Sequence, residues 1–176
     1  MATDSKGSGS VWTPPSPAAT AEAHAFGPEL KIDRLIRAPR EMVWAAWTDA
    51  RQLARWWGPH GFTNPVCEID PVVGGRLDIV MRGPDGVDHV QKGVVRSIDP
   101  PGFLEFTVAL KESDDSDRLV NLTTLTLEDV GGMTRLILNV RVLKATSAAA
   151  ENISGMEAGW NESLDRLTAQ IGAQTS

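Results

Sequence analysis

Between Phe62 and Leu143 the sequence alternates strand-like runs with separators too short to let the chain cross over a sheet. The runs are Phe62 to Asp70, Arg76 to Arg82, Val87 to Ile98, Phe103 to Lys111, Leu119 to Val130 and Met133 to Leu143. Between them stand Gly74-Gly75, Gly83 to Gly86, Asp99-Pro100-Pro101-Gly102, the acidic Glu112 to Asp117, and Gly131-Gly132. Each separator carries the Gly, Pro or Asp that tight turns require. A parallel connection needs about a dozen residues or more. Consecutive runs are therefore expected to be antiparallel neighbours in one meander.

Alternation within the runs says which side is covered. Leu77, Ile79 and Met81 share one face of their run, with Arg76, Asp78 and Arg82 opposite. Leu104, Phe106, Val108 and Leu110 share a face, as do Leu136, Leu138, Val140 and Val142. An earlier run, Glu29 to Arg37, reads as a further strand in which only Leu35 breaks step. A sheet with one apolar face must be covered by another element. Ile153, Met156, Trp160, Leu164, Leu167 and Ile171 recur at three or four residues, so an amphipathic C-terminal helix is expected to supply that cover. Gly155 and Gly159 interrupt it, each at a cost of about 1 kcal/mol in helix propensity relative to alanine. Small residues there permit close approach to the sheet or leave room for something else.

The segment Ala38 to Phe62 reads as two short helices. Pro39 suits a first helical turn, and Val43, Trp44 and Trp47 follow at helical spacing. Asp49 with Gln52 three residues later is a capping-box variant that starts the second helix. Leu53, Trp56 and Trp57 line that helix, and Gly58-Pro59 ends it. Helices this short are not stable alone, so they must rest on the concave sheet.

Composition narrows the function classes. A chain of 176 residues suffices for one domain with a real core. A formal charge of -6, with no lysine/arginine cluster, argues against a nucleic-acid partner and against an anionic membrane surface. No apolar run approaches membrane-spanning length, and the opening MATDSKGSGS lacks the order of a secretory signal, so a cytoplasmic location is expected. The single cysteine, Cys67, excludes an internal disulfide. Residues 1–27 are expected to be a disordered tail, 28–172 the folded domain and 173–176 a short C-terminal tail. The tail contains a PxxP spacing between Trp12 and Pro17, common by chance, and His24, which is given no role.

Several separated motifs resemble one family. They are AP-x-E-x-VW-x-A-WTD (Ala38 to Asp49), WWGPHGF (Trp56 to Phe62), E-x-D-x-x-x-GG (Glu68 to Gly75), G-x-x-x-x-I-x-PP (Gly93 to Pro101) and GW-x-x-x-L-x-x-L (Gly159 to Leu167). In this order they resemble the family homologous to the activator of Hsp90 ATPase, within the START/Bet v 1-like (SRPBCC) superfamily. Arg51 stands where relatives usually carry a glutamate, which shifts the cap to Asp49 and Gln52. The resemblance covers roughly residues 29 to 172. It implies an α+β helix-grip fold: a curved antiparallel sheet of about seven strands wrapped round a long C-terminal helix, two short helices closing one end, and a cavity between sheet and helix. Such mostly apolar concavities are where small ligands bind.

On that frame the candidate ligand-binding residues are Trp44, Trp47, Trp56, Trp57, His60, Phe62, Arg76, Met81, His89, Gln91, Phe106, Met156 and Trp160. Trp57, Phe62, Met81, Phe106, Met156 and Trp160 are the expected walls, with an aromatic rim formed by Trp56, Trp57 and Phe62 facing Trp160. Arg76, His89 or Gln91 would orient the ligand if they point inward. Core packing is the bland alternative for the tryptophans, and solvated cross-strand ion pairs for Glu68, Asp70, Arg76 and Asp78. No histidine pair has metal spacing, and no nucleophile elbow, phosphate loop or dinucleotide fingerprint occurs, so no metal, cofactor or covalent mechanism is expected. The reading is a binder of a small apolar or aromatic molecule. The resemblance also implies two alternatives, a regulator of a chaperone ATPase and a cyclase- or hydrolase-like enzyme. The latter needs a histidine or carboxylate inside the cavity. The sequence leaves the oligomeric state open.

Overall fold

The computed structural model describes residues 28–175. The tail with its PxxP run and His24, and Ser176, lie outside the described residues. Seven strands form one antiparallel sheet: β1 (Glu29–Ile36), β2 (Thr63–Ile69), β3 (Arg76–Arg82), β4 (Asp88–Asp99), β5 (Phe103–Lys111), β6 (Asp117–Val130) and β7 (Met133–Ala145). Their spatial order is β1-β7-β6-β5-β4-β3-β2, so β2 to β7 run as the expected meander and β1 returns to pair with β7. The strand ends differ from the sequence expectation by one or two residues; pairing with neighbours starts β6 two residues earlier and carries β7 two residues further.

Cross-strand register shows why one face is dry. Leu104, Leu125, Leu138 and Ile32 stand opposite one another across four strands, and all are buried. The outer face carries ion pairs instead, such as Arg135 with Asp33 and Arg82 with Asp88. Leu35, which broke the alternation of the first strand, points out on that face and is 55% exposed.

The two short helices are α1 (Arg40–Thr48) and α2 (Ala50–Trp56). Pro39 is the residue just before α1, and the Asp49 carboxylate accepts hydrogen bonds from the N–H groups of Arg51 and Gln52, as the capping pattern predicts. The C-terminal segment departs from expectation. It is not one rod from Ile153 to Ile171 but two pieces, α3 (Ala150–Ser154) and α4 (Met156–Thr175), preceded by a 3₁₀ turn at Ser147–Ala149. The break falls at Gly155, whose backbone leaves helical geometry (ψ 3°), as expected where a residue of poor helix propensity meets a change in direction. The helix also continues to Thr175, past the expected domain edge at residue 172.

Two arginines fasten α4 to the rest. Arg34 on β1 reaches Asp165 at 2.8 Å and the Asn161 side-chain and main-chain oxygens at 3.0 and 3.1 Å. Arg166 donates from Nη1 to the carbonyls of Gly58 (2.8 Å) and Pro59 (2.9 Å), with a longer contact to Trp57, and from Nη2 to Arg55 (2.9 Å). These carbonyls belong to the end of α2 and the loop after it, where the helix dipole and unpaired C=O groups favour a cation. Burial lowers the Arg166 pKa from its usual value, yet arginine stays charged in proteins.

The single cysteine lies opposite Ile79 and therefore faces the covered side of the sheet. Burial, with a smaller contribution from neighbouring Glu68, pushes its thiol up to about 11. Since the thiolate is the reactive species, iodoacetamide at about pH 8 should label the folded protein on the order of a hundredfold more slowly than the urea-unfolded chain. Equal rates would mean that Cys67 is not packed as described. Replacing the guanidinium by an isosteric chain, Arg166→Met, strands several carbonyls, and urea denaturation should show a loss of about 3 kcal/mol. A loss below about 0.5 kcal/mol would show that the loop does not depend on this residue.

Candidate functional site

The site is built around the loop that follows α2. Trp56 and Trp57 are adjacent, so their indoles leave the helix end in different directions. Trp56 is fully buried, donates its indole N–H to the Ala46 carbonyl at 2.9 Å, and meets the edge of Trp47 at 4.6 Å between ring centroids. Trp57 turns toward the sheet and donates its N–H to Gln91 Oε1 on β4 at 2.8 Å. Gly58 then takes a positive φ of 98°, and a side chain there would meet Met81 Sδ at 2.7 Å; only glycine suits the position. Asn64 holds the turn from below by donating to the carbonyls of Ala54 and Trp57.

Trp160 on α4 completes the aromatic group. Its ring lies edge-on to Trp57 at 5.4 Å and roughly parallel to Trp47 at 6.2 Å. These geometries are those that ring quadrupoles favour. Trp47 and Trp56 thus form a buried base, and Trp57 and Trp160 the surface above it.

That surface borders an open cavity of about 310 Å³. Its floor is the inner face of β3 to β6, represented by Met81, Gln91, Val108 and Asn121; its roof is the α3–α4 junction, with Gly155, Met156 and Gly159. One side is the Gly58-Pro59 loop with Phe62. The cavity separates two apolar clusters. The larger contains Trp57, Phe106 and the leucines of β5 to β7; the smaller contains Leu110, Leu119, Val142 and Ala149. Met156 packs against both. The two helix glycines contribute absence of bulk: a Cβ at Gly159 would meet only Pro59 Cγ, at 3.8 Å.

Seven of the residues expected from sequence line the cavity: Trp57, Phe62, Met81, His89, Gln91, Met156 and Trp160. The other six do not. Trp47, Trp56 and Phe106 are consumed by core packing, and Phe106 lies behind the wall with its ring 6.3 Å from Trp57. Trp44 sits on α1, partly buried against the core. His60 points to solvent, and the loop uses only its backbone N–H, which donates to Glu162 Oε1 at 3.0 Å. Arg76 lies on the outer face, 75% exposed, paired with Asp78 and more loosely with Glu68. The alternation of β3 places it opposite Leu77, so it cannot point inward.

The polar lining that sequence reasoning missed is Asn121, Thr123, Ser163, Glu151 and Asn152. For Asn121 and Thr123 a signal existed, because they share parity with Leu119, Leu125 and Leu127 on β6. Ser163 spends its hydroxyl on the Gly159 carbonyl, one turn back in α4. Among the lining residues there is one carboxylate, Glu151, which is exposed, and no lysine or arginine. Among the described residues no helix is long and apolar enough to cross a membrane, and no group of acidic, histidine or cysteine side chains is arranged to hold a metal ion.

Among solved structures this chain is similar to the AHSA1 protein of Silicibacter pomeroyi, with 27% identity, a TM-score of 0.72, and coverage of 84% of this chain and 99% of that one. It is similar to a protein from Arthrobacter aurescens at 28% identity and TM-score 0.71, covering 82% and 86% of the two chains. A protein from Rhodobacter sphaeroides matches at 27% identity and TM-score 0.69, covering 82% and 93%. No curated protein matches. The family model described as activator of Hsp90 ATPase homolog 1-like protein matches residues 37–172, which contain α1 to α3, most of α4 and all strands but β1, so this chain belongs to that family.

Proposed function

We propose that this protein binds a small, flat, predominantly apolar molecule in the cavity between β3 to β6 and the α3–α4 junction. The observation that carries this reading is the Trp57–Gln91 hydrogen bond beside an open space. An indole N–H can only donate, so the bond fixes which end of the Gln91 amide is the oxygen and leaves its two Nε2 hydrogens available to donate. Trp57 and Trp160 present rings, Phe62 and Met81 present apolar sides, and Gln91 offers one fixed polar contact. Pockets for small molecules combine a largely apolar lining with a few placed polar groups, over volumes from about 300 Å³ upward. His89 lies at the Phe62 side, with 6.0 Å between ring centroids, and widens the aromatic surface.

Titration with a panel of neutral bicyclic aromatics should quench tryptophan emission saturably, because two of the indoles border the space. Gly159→Leu, which places a side chain in the cavity roof, should weaken binding at least about tenfold while thermal stability holds or rises, since leucine is a far better helix former. Gly159→Ala should keep binding and gain up to about 1 kcal/mol of stability. The proposal fails if no member of the panel binds saturably, or if the leucine variant binds as well as the parent.

A further inference from the structure

Among the described residues, Asn121 is a polar residue bordering the cavity whose side-chain oxygen has no partner in the protein. It lies on the inner face of β6, opposite Val108 on β5 and Val142 on β7, and its side chain borders the cavity. Its Oδ1 is shielded from solvent and accepts no hydrogen bond. Leaving a buried acceptor unpaired is costly, and the valine side chains on either side have no donor to give. The wall around it has no use for an amide; a valine or leucine would fill the same place at no such cost. The open side of the residue is the cavity, and once the amide turns a donor can reach its oxygen from there. The torsion that turns the amide is soft in asparagine, so the oxygen can be presented to whatever occupies the space.

Gln91 marks a second polar station. It faces Leu110 on β5, which faces Leu119 on β6, and Asn121 lies two residues further along that strand. Two strand spacings across and two residues along put the Gln91 and Asn121 backbones about 12 Å apart. The two amides differ in what they present: Gln91 offers N–H because its oxygen is taken by Trp57, while Asn121 has an oxygen in need of a donor. No lysine or arginine lines the space to hold an anion, and Glu151 stands on its border.

Building on the cavity-binding reading, we infer that the site selects a neutral, flat molecule with a hydrogen-bond acceptor at one end and a hydroxyl or N–H donor at the other. The acceptor meets Gln91 and the donor meets Asn121. The orphaned oxygen in the ligand-free protein is then the part of the site that ligand completes.

Three coumarins separate this inference from the reading beneath it. Coumarin has the ring carbonyl alone, 7-hydroxycoumarin adds a donor at the far end, and 7-methoxycoumarin adds bulk without one. Calorimetric titration of the full chain, below the pKa of the hydroxyl, should give 7-hydroxycoumarin about tenfold tighter binding than the other two, the worth of one good hydrogen bond. In Asn121→Leu the affinity ratio of 7-hydroxycoumarin to coumarin should fall to about one, whatever the variant does to coumarin itself, and the ligand-free variant should resist urea better than the parent. If Asn121→Leu does not fold, Asn121→Val carries the same comparison. Equal binding of all three probes to the parent, or a hydroxyl preference that survives in the variant, overturns the donor assignment and leaves the cavity reading standing. Saturable binding by none of them overturns both.

Discussion

The architecture follows from a mismatch of widths. A helix with its side chains is about 10 Å across, whereas seven strands at about 4.8 Å spacing make a sheet roughly three times as wide. One helix cannot cover such a sheet. Curvature brings the edges inward, and α1 and α2 add cover, yet α4 comes closest to β1, α1 and α2. The inner face on the other side, from β3 to β6, is left to the α3–α4 junction and the Trp57 loop. Space remains there because no element is assigned to fill it.

Keeping that space open requires the loop and helix to stand at a fixed distance. Arg166 does this with one planar group bonded to several carbonyls of a single turn, and Arg34 holds α4 from the β1 side. The aromatic base of Trp47 and Trp56 below it is fully buried, so the surface formed by Trp57 and Trp160 rests on rigid packing. The polar contacts that shape the cavity are thus mostly main-chain carbonyls gripped by side chains.

The sheet was legible in the sequence because turn chemistry and alternation are local signals. Connections too short for a crossover fixed antiparallel neighbours, and parity assigned Leu77 and Ile79 to one side and Arg76 to the other. Parity on β6 also marked Asn121 and Thr123 as inward, but a polar residue in an apolar series reads as a blemish until the space beside it is seen. The tryptophans resisted assignment for a different reason. Trp44, Trp47, Trp56 and Trp57 fall close together on two short helices, and which indoles face core or cavity depends on how the helices are rotated on the sheet, which spacing does not encode. The break at Gly155 was equally hidden: two glycines in a helical pattern lower its propensity without saying whether the chain bends. Arg166 gave no signal at all, since a lone arginine on an amphipathic helix usually faces water.

The division of the interior into a solid end and a hollow one has an evolutionary consequence. Substitutions among Leu104, Leu125, Leu127 and Leu138 act on tightly packed, fully buried positions, where changes of volume are felt directly. Substitutions at Met81 or Asn121 alter a surface that already adjoins empty space, so their steric penalty is smaller. The shape of the hollow can therefore drift among descendants of such a scaffold while its framework stays fixed, and kinship of fold gives little guidance to what each one does.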